Sequence, residues 1–503
     1  MIKKFRYYIL LAALTIVSTS CLDKYPSDAI TFDKSIQTVD DANLAVLGIY
    51  DALKSPYLYS GRLTLLPDIQ TDLVYGVNNN SNVYGDVWRW KDILATNTDI
   101  EGVYGALYVV INRCNFLLDR VDEVRANTTD DEELDRLDQY CGEAYFARAL
   151  AYSELIKLFC KTYEKEHDMT KELGVILTEH YQGNEKMVRA SLKDSYDFVL
   201  KDLDRAAELL ELEDDFEGAL YDSGYFNEYT VYALRARVAL YMQDWEEAIK
   251  YSSKVIDSGY YFLASATQMA TDGQSYYQYM WSNDFSPETI FKVAFTLNSY
   301  GGALGSVFAN YDMVSLRPDY VPANWVFYLY DENDLRDDTF FKAFTTGYDH
   351  GLYWPLLIKY WGNEQFIQYR MYHITMPKVL RLSEQYLIRA EAYVQQKDYS
   401  KASSDIATLR SARYKGAASA SMSEDNAMQV IEEERVKELY MEGFRLQDLK
   451  RWHKGFKREP QDQSLSNGSS LEVKADDPLF VWPIPQHELD SPGSEIQPNE
   501  SNK

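Results

Sequence analysis

Apolar residues recur at three- and four-residue intervals along much of the chain, the spacing that gives a helix one buried stripe. The pattern is clear from Asp41 in DANLAVLGIYDAL, read through Leu44, Leu47 and Leu53. It returns in VYGALYVVINRCNFLLDRV, GEAYFARALAYSELIKLFC and SLKDSYDFVLKDLDRAAELL. AMQVIEEERVKELYMEGFRLQDLKRW, from Ala427, reads as one long last helix. Two stretches lose the period. Residues 55–100 carry Pro56, Pro67, Gly76, the run Asn78–Asn80, Tyr84, Trp88 and Trp90. Residues 259–377 are rich in turn formers and aromatics, with one short strand expected in ETIFKVAF. The expected class is mainly α, with irregular parts holding a few short strands.

Two segments superpose on each other. YTVYALRARVALYMQDWEEAIKYSSKVI and SEQYLIRAEAYVQQKDYSKASSDIATL align Asp244-Trp245 with Asp398-Tyr399 and Arg235-Ala236 with Arg389-Ala390. Ala248 then falls on Ala402, and Tyr145, Arg148-Ala149 and Tyr152 give a third copy. Small residues at fixed positions allow two antiparallel helices to approach closely, which is the tetratricopeptide spacing. The copies are separated by long insertions.

The first residues change the picture of where the chain works. MIKKFR is basic, Tyr7 to Val17 is apolar, and Ser18, Thr19 and Ser20 precede Cys21. That order is an export signal, and its core is too short to span a bilayer. Small residues followed by Cys resemble a lipidation signal, with Ser18 where Leu is common, so Cys21 is the expected lipidation site. Each buried acyl methylene contributes about 0.8 kcal/mol to such an anchor. The Pro- and Ser-bearing stretch after Cys21 reads as a tether. Cys114, Cys141 and Cys160 are odd in number and lie in helical patterns, which argues for buried thiols rather than disulfides.

A formal charge of −27 argues against nucleic acid as a partner. The 42 tyrosines and 9 tryptophans are more telling, because a purely structural helical repeat has no use for so many.

Several segments, in order, resemble the SusD/RagB family of outer-membrane nutrient-binding lipoproteins. They are Gly142-Glu143-Ala144 through Tyr152, Arg189-Ala190-Ser191 with Tyr196 and Asp202-Leu203, and Leu380-Arg381-Leu382 through Tyr393. Glu434-Arg435, Glu438-Leu439, Glu442-Gly443, Arg445, Asp448 and Arg451-Trp452 follow, then Trp482-Pro483-Ile484-Pro485 with Glu488. The resemblance implies a tetratricopeptide-like helical scaffold with a large loop-rich ligand-binding subdomain. It also implies an oligosaccharide or polysaccharide ligand, a TonB-dependent outer-membrane barrel as partner, and a lipid-anchored place at the outer membrane facing the cell exterior. On this reading residues 1–20 are the signal, 21–40 the lipidated tether and 41–503 one domain. Helical repeats occupy about 101–258 and 380–455, and ligand-binding loops about 55–100 and 259–377.

Sugars present flat C–H faces to aromatic rings and hydroxyls to amides and carboxylates, so a sugar site needs exposed aromatics beside polar side chains. Two stretches qualify: Tyr84, Asp86, Trp88 and Trp90, and Tyr276, Tyr277, Trp281 and Asn283. These are the expected ligand contacts. Glu434, Glu438 and Glu442 share a helix face and read as packing residues paired by interleaved Lys and Arg. Asp331, Asn333, Asp334, Asp337 and Asp338 lack the glycine and terminal glutamate of a calcium loop and read as helix caps. No metal-binding spacing, nucleophile motif or phosphate loop stands out, so no catalytic residue, metal or cofactor is expected. A peptide-binding member of the same family is the alternative. A glycoside hydrolase, which requires two facing carboxylates, ranks below it.

Overall fold

The computed structural model describes residues 34–91, 93–181, 187–210, 223–311, 313–348, 353–416, 418–459 and 471–502. The export signal, Cys21 and the tether up to Asp33 lie outside the described residues.

Helix α1 (Val39–Leu53) is opened by a capping box in which Thr38 accepts from the Asp41 N–H and Asp41 accepts from the Thr38 N–H. It buries Val39, Ala42, Val46, Ile49 and Leu53, and leaves Leu44 and Leu47 exposed. The stripe expected through Leu44 and Leu47 is therefore out of phase. The run offers two apolar stripes, and the one holding the small Ala42 packs against the neighbouring helices. The chain continues through α2 (Arg62–Ile69), β1 (Val74–Gly76), α3 (Gly85–Trp88), α4 (Thr98–Leu118), α5 (Asp131–Phe159) and α6 (Leu192–Leu209). Next come α7 (Glu228–Tyr241), α8 (Trp245–Ile256) and α9 (Tyr276–Asn283). The long insertion then holds β2 (Thr289–Lys292), β3 (Tyr320–Pro322), β4 (Phe341–Thr345) and β5 (Tyr353–Leu357). It ends at β6 (Lys378–Arg381), which leads into α10 (Leu382–Gln395) and α11 (Tyr399–Ser411). Last are α12 (Ala427–Leu439), α13 (Arg445–Arg451), β7 (Phe456–Arg458) and β8 (Leu471–Val473).

The helical repeats are the packed pairs α5–α6, α7–α8 and α10–α11. Ala236, Ala390, Ala248 and Ala402 are all fully buried where paired helices approach. The turn inside two pairs is the same device. Gln243 (φ 56°) and Lys397 (φ 62°) adopt the left-handed conformation. The next N–H then bonds back to the carbonyl five residues earlier, Asp244 to Ala239 and Asp398 to Tyr393, each at 2.8 Å. Asp244 and Asp398 then cap the second helix by accepting from Glu247 and Lys401. The aligned arginine of each unit reaches a carboxylate: Arg148 forks onto Asp202 (2.7 and 2.8 Å), Arg389 onto Asp405 (2.9 and 2.8 Å), and Arg235 meets Asp204.

Strands occur only as antiparallel pairs among the described residues: β1 with β3, β2 with β6, β4 with β5, β7 with β8, and two short pairs, Leu173–Ile176 with Arg189–Ser191 and Met269–Thr271 with Gln274–Ser275. One core lies beneath the repeats around Phe146, Tyr152, Phe159 and Trp482. A second lies beneath the loop-rich part around Leu73, Tyr277, Trp281, Phe340 and Tyr440.

The helix expected to run unbroken from Ala427 to Trp452 stops at Leu439 and restarts at Arg445. Met441 (φ 60°) and Gly443 (φ 86°) leave helical geometry, and a Cβ at Gly443 would meet the Thr64 carbonyl at 3.0 Å. Asp68 of α2 fills the break by accepting from the Gly443 and Arg445 N–H groups at 3.0 and 2.8 Å. Burial pushes its carboxyl up to about 7.

The glutamates of α12 are indeed paired, but by residues from other elements rather than by the interleaved Lys and Arg expected. Glu438 accepts from Arg381 (3.0 Å), Arg413 (2.9 and 3.0 Å) and Arg336 (3.2 Å). Glu288, just before β2, accepts from Arg381 (2.7 Å) and Arg413 (2.8 Å). Glu434 is held by Arg336 and Arg410, and Glu442 by Arg381 and Lys359. Asp334 forks onto Arg336 at 2.8 Å, so it is a member of this network, and it also accepts from the Arg336 backbone N–H at 3.2 Å, at the start of the next helix. Burial alone would raise the Glu438 carboxyl, yet Arg413 and Arg381 hold it well below its ordinary value of 4.5.

Removing one member strands the others as unpaired buried charges, at a cost of about 3–5 kcal/mol. Glu438→Gln is accordingly expected to lower unfolding free energy by that amount in denaturant titrations, and a loss under about 1 kcal/mol contradicts the network's role. Because the folded value lies below the unfolded one, Glu438 contributes fully above pH 4.5 and less as pH falls through that range. Unfolding midpoints should drop in acid more steeply for the parent chain than for Glu438→Gln.

Candidate functional site

Helix α9, the β4–β5 hairpin and the segment Ile358–Ile367 enclose a cleft of about 460 Å³. Gln274, Gln278, Ser282, Phe344, Trp361 and Glu364 are among the residues that line it. Trp361 is 37% exposed and stacks on Phe344, with ring centroids 5.5 Å apart and planes 11° from parallel. Lys342 lies 5.6 Å from the Phe344 ring. The cleft thus sets a flat aromatic surface beside two amides, the hydroxyls of Ser282 and Thr339, the carboxylates of Asp338 and Glu364, and an ammonium group.

Local sequence explains its walls. Ser275 and Gln278 form a reciprocal capping box that starts α9. Asp284 (φ 58°) ends the helix and is buried. Its carboxylate pairs with Lys378 and accepts from Asn363 (2.6 Å) and the Met376 N–H (3.0 Å). The end of α9 is thereby fixed to the wall that carries Trp361. Gly362 at φ 128° forms the turn that leaves Trp361 at the surface.

The structure separates the expected contacts into two groups. Four aromatics are core residues, which corrects the reading of them as exposed platforms. Trp88 (7% exposed) donates its indole N–H to the Val74 carbonyl at 3.2 Å and lies 4.8 Å from Arg458. Trp90 (9%) donates to the Gln70 carbonyl and packs edge-on against Phe456 and Phe480. Tyr277 (0%) reaches Glu438 at 3.4 Å beneath Arg413. Trp281 (4%) borders the cleft, but its ring covers Lys359 (4.2 Å), Lys378 (4.9 Å) and Arg381 (5.4 Å). Rings this deeply buried have no free face to offer, and the cations against Tyr277 and Trp281 hold those two in place.

The other four are accessible. Tyr276 is exposed, and half-buried Asn283 donates to Ser282, whose hydroxyl donates to Gln274 at 3.1 Å. Half-buried Tyr84 (φ 59°) shares Arg62 with exposed Tyr57, the guanidinium lying 5.7 and 4.8 Å from the two rings. Asp86 pairs with Arg89 at 2.8 Å, and Arg89 also donates to Asn82 at 2.6 Å. This forms a second polar and aromatic patch. The loop Ser299–Gly305 runs between patch and cleft. Gly302 donates to Ser60 at 2.8 Å, while a Cβ at Gly305 would lie 1.9 Å from the Tyr360 carbonyl.

Sequence reasoning missed Phe344, Gln274, Gln278 and Glu364 as contacts and did not single out Trp361. One signal was present: Trp361-Gly362-Asn363 places a tryptophan on a turn, where burial is hardest to achieve.

Comparison with known proteins fits this architecture. The SusD family model matches residues 179–499, and a model described as "Starch-binding associating with outer membrane" matches residues 59–240. The chain belongs to the SusD family. It is 22% identical over 276 residues to SusD-like protein P38 of Formosa agariphila, a match spanning 51% of this chain and about half (46%) of that relative. Among solved structures it resembles a SusD superfamily protein of Bacteroides thetaiotaomicron (TM-score 0.75, 24% identity, 92% of this chain and 99% of that one). Surface glycan-binding protein A of Bacteroides fluxus is similar too (TM-score 0.69, 18% identity, 92% and 100%). At these identities the likeness shows the fold.

Truncation should separate strut from surface. Trp281→Ala is expected to cost about 3–5 kcal/mol of stability, and Trp361→Ala only about 1 kcal/mol, in chemical denaturation. Equal losses contradict the assignment of Trp281 to the core.

Proposed function

We propose that this protein captures a glycan in the Trp361 cleft and does not itself cleave it. The observation that carries the reading is the exposed Trp361–Phe344 stack facing Gln274, Gln278 and Glu364 in one cleft. An aromatic face takes the C–H side of a sugar ring while amides and a carboxylate take its hydroxyls. The Tyr57–Arg62–Tyr84 patch, with Asp86 alongside, extends the same surface for longer chains. Asn283 supports the lining through its bond to Ser282, and exposed Tyr276, on the same helix, is kept as a candidate contact. Family membership supports the ligand class.

On this reading the protein is tethered at the outer membrane through Cys21, faces the cell exterior, and passes its ligand to a TonB-dependent barrel. No helix among the described residues is long and apolar enough to cross a membrane. We read the chain as one domain from residue 41 to 503, with the signal at 1–20 and the tether at 21–40.

The test is affinity electrophoresis of the Cys21→Ser chain in gels holding starch, xylan, mannan or arabinan, with product analysis for hydrolysis. Retention by at least one polysaccharide is expected without release of oligosaccharide. Trp361→Ala and Gln278→Ala should each weaken it at least about tenfold, or ~1.4 kcal/mol. Retention unchanged in both variants overturns the cleft assignment. Binding of peptides but no glycan moves the protein to the peptide-binding branch, and cleavage of the polysaccharide contradicts a pure binding role.

A further inference from the structure

We propose a second carbohydrate-binding surface at the far end of the helical repeats, built on Trp245 and Trp452. Both rings are half-buried and line an open cleft of about 580 Å³ together with Gln243, Gln395 and Met428. Five segments meet there: Lys165–Glu166 after α5, the α7–α8 turn, the end of α10, the start of α12 and the residues at and after the end of α13. Gln395 donates to the Met428 sulfur at 3.4 Å, so the end of α10 touches the start of α12.

The two helices also fix the position of this cleft relative to the first. Arg381, at the start of α10, and Glu438, at the end of α12, belong to the buried network beneath Trp281. The 14 residues of α10 span about 20 Å at 1.5 Å per residue. The second cleft therefore lies about that far from the base of the first.

Its chemistry favours a neutral, polyhydroxylated ligand. The Trp452 indole N–H is already given to Glu391 at 2.8 Å, and Arg451 and Lys454 lie 4.6 and 5.8 Å from its ring, so a ligand meets only the half-buried ring surface these cations leave open. The cations around it are matched: Arg451 by Glu391 and Asp448, Lys454 by Glu432, and Lys165 by Asp244. An anionic ligand gains little from cations already paired, and exposed Glu166 in the lining disfavours it further. No strand borders the cleft, which removes edge pairing as a means of holding a peptide. What remains is aromatic surface flanked by the amides of Gln243 and Gln395, an arrangement like that at Trp361. A polysaccharide long enough to reach both surfaces gains avidity without any new contact.

Gln395 is exposed, so Gln395→Trp fills the cleft without disturbing the core. The experiment uses the Cys21→Ser chain with the Trp361→Ala change added to disable the first cleft. Affinity electrophoresis against the same neutral polysaccharides is combined with NMR of the indole N–H signals, assigned with Trp245→Phe and Trp452→Phe. Residual retention is expected, reduced at least about tenfold by Gln395→Trp, with the Trp245 and Trp452 signals shifting on addition of oligosaccharide. Retention insensitive to Gln395→Trp, with both signals unmoved, overturns the second surface and leaves the first standing. Signals shifted by a proline-rich peptide and by no glycan overturn the ligand class. No retention of any variant, the parent included, overturns both surfaces.

Discussion

The fold turns on a cluster of buried charges where β2, β6, α12 and the end of α11 meet. Glu288 and Glu438 share Arg381 and Arg413, and Glu434, Glu442, Asp334, Arg336, Arg410 and Lys359 extend the set. Most of these side chains are wholly shielded from solvent. A network of this kind adds little net stability compared with an apolar core of the same volume, but it tolerates few alternative arrangements. Its members come from the insertion (Glu288, Asp334, Arg336, Lys359) and from the helical part (Arg413, Glu434, Glu438). It therefore fixes the loop-rich half on the repeats in one orientation.

That constraint decides which aromatics can serve a ligand. Tyr277 and Trp281 project from α9 onto Arg413, Lys359, Lys378 and Arg381, and their rings cover these cations. They are the floor of the cleft and its link to the network. Trp361, from a different segment, lines the same cleft, stacked on Phe344 and open to solvent. A rigid floor beneath an exposed ring means little ordering is left to be done when a sugar binds, which favours affinity.

The scaffold was legible in the sequence because its determinants are local. Asp244 and Asp398 announce helix caps, Ala236 and Ala390 announce close helix approach, and the aligned arginines bond carboxylates on neighbouring helices. The helical period itself was less reliable. In α1 two apolar stripes compete, and only the neighbours choose Ala42 and Val46 over Leu44 and Leu47. The break at Gly443 depends on the backbone at Thr64 and on the Asp68 cap, both distant in sequence. The site was legible by region and not by residue. A Tyr-Gly-Asp-Val-Trp-Arg-Trp run looks like a surface platform, yet Trp88 and Trp90 find backbone carbonyls and Arg458, which cannot be read from spacing. Buried ion pairs between residues a hundred positions apart leave no periodic trace, so the roles of Glu288, Asp334 and Asp284 emerge only in three dimensions.

The central claim is that Trp361 is the sugar-stacking residue. It is tested most directly by a crystal structure of the chain with the oligosaccharide of whichever glycan retains it in a gel. The account predicts a sugar ring stacked face-on over Trp361, with hydroxyls bonded to Gln274, Gln278 or Glu364 and the Trp281 floor unmoved. A ligand seated elsewhere on the molecule, with the Trp361 ring bare, contradicts it.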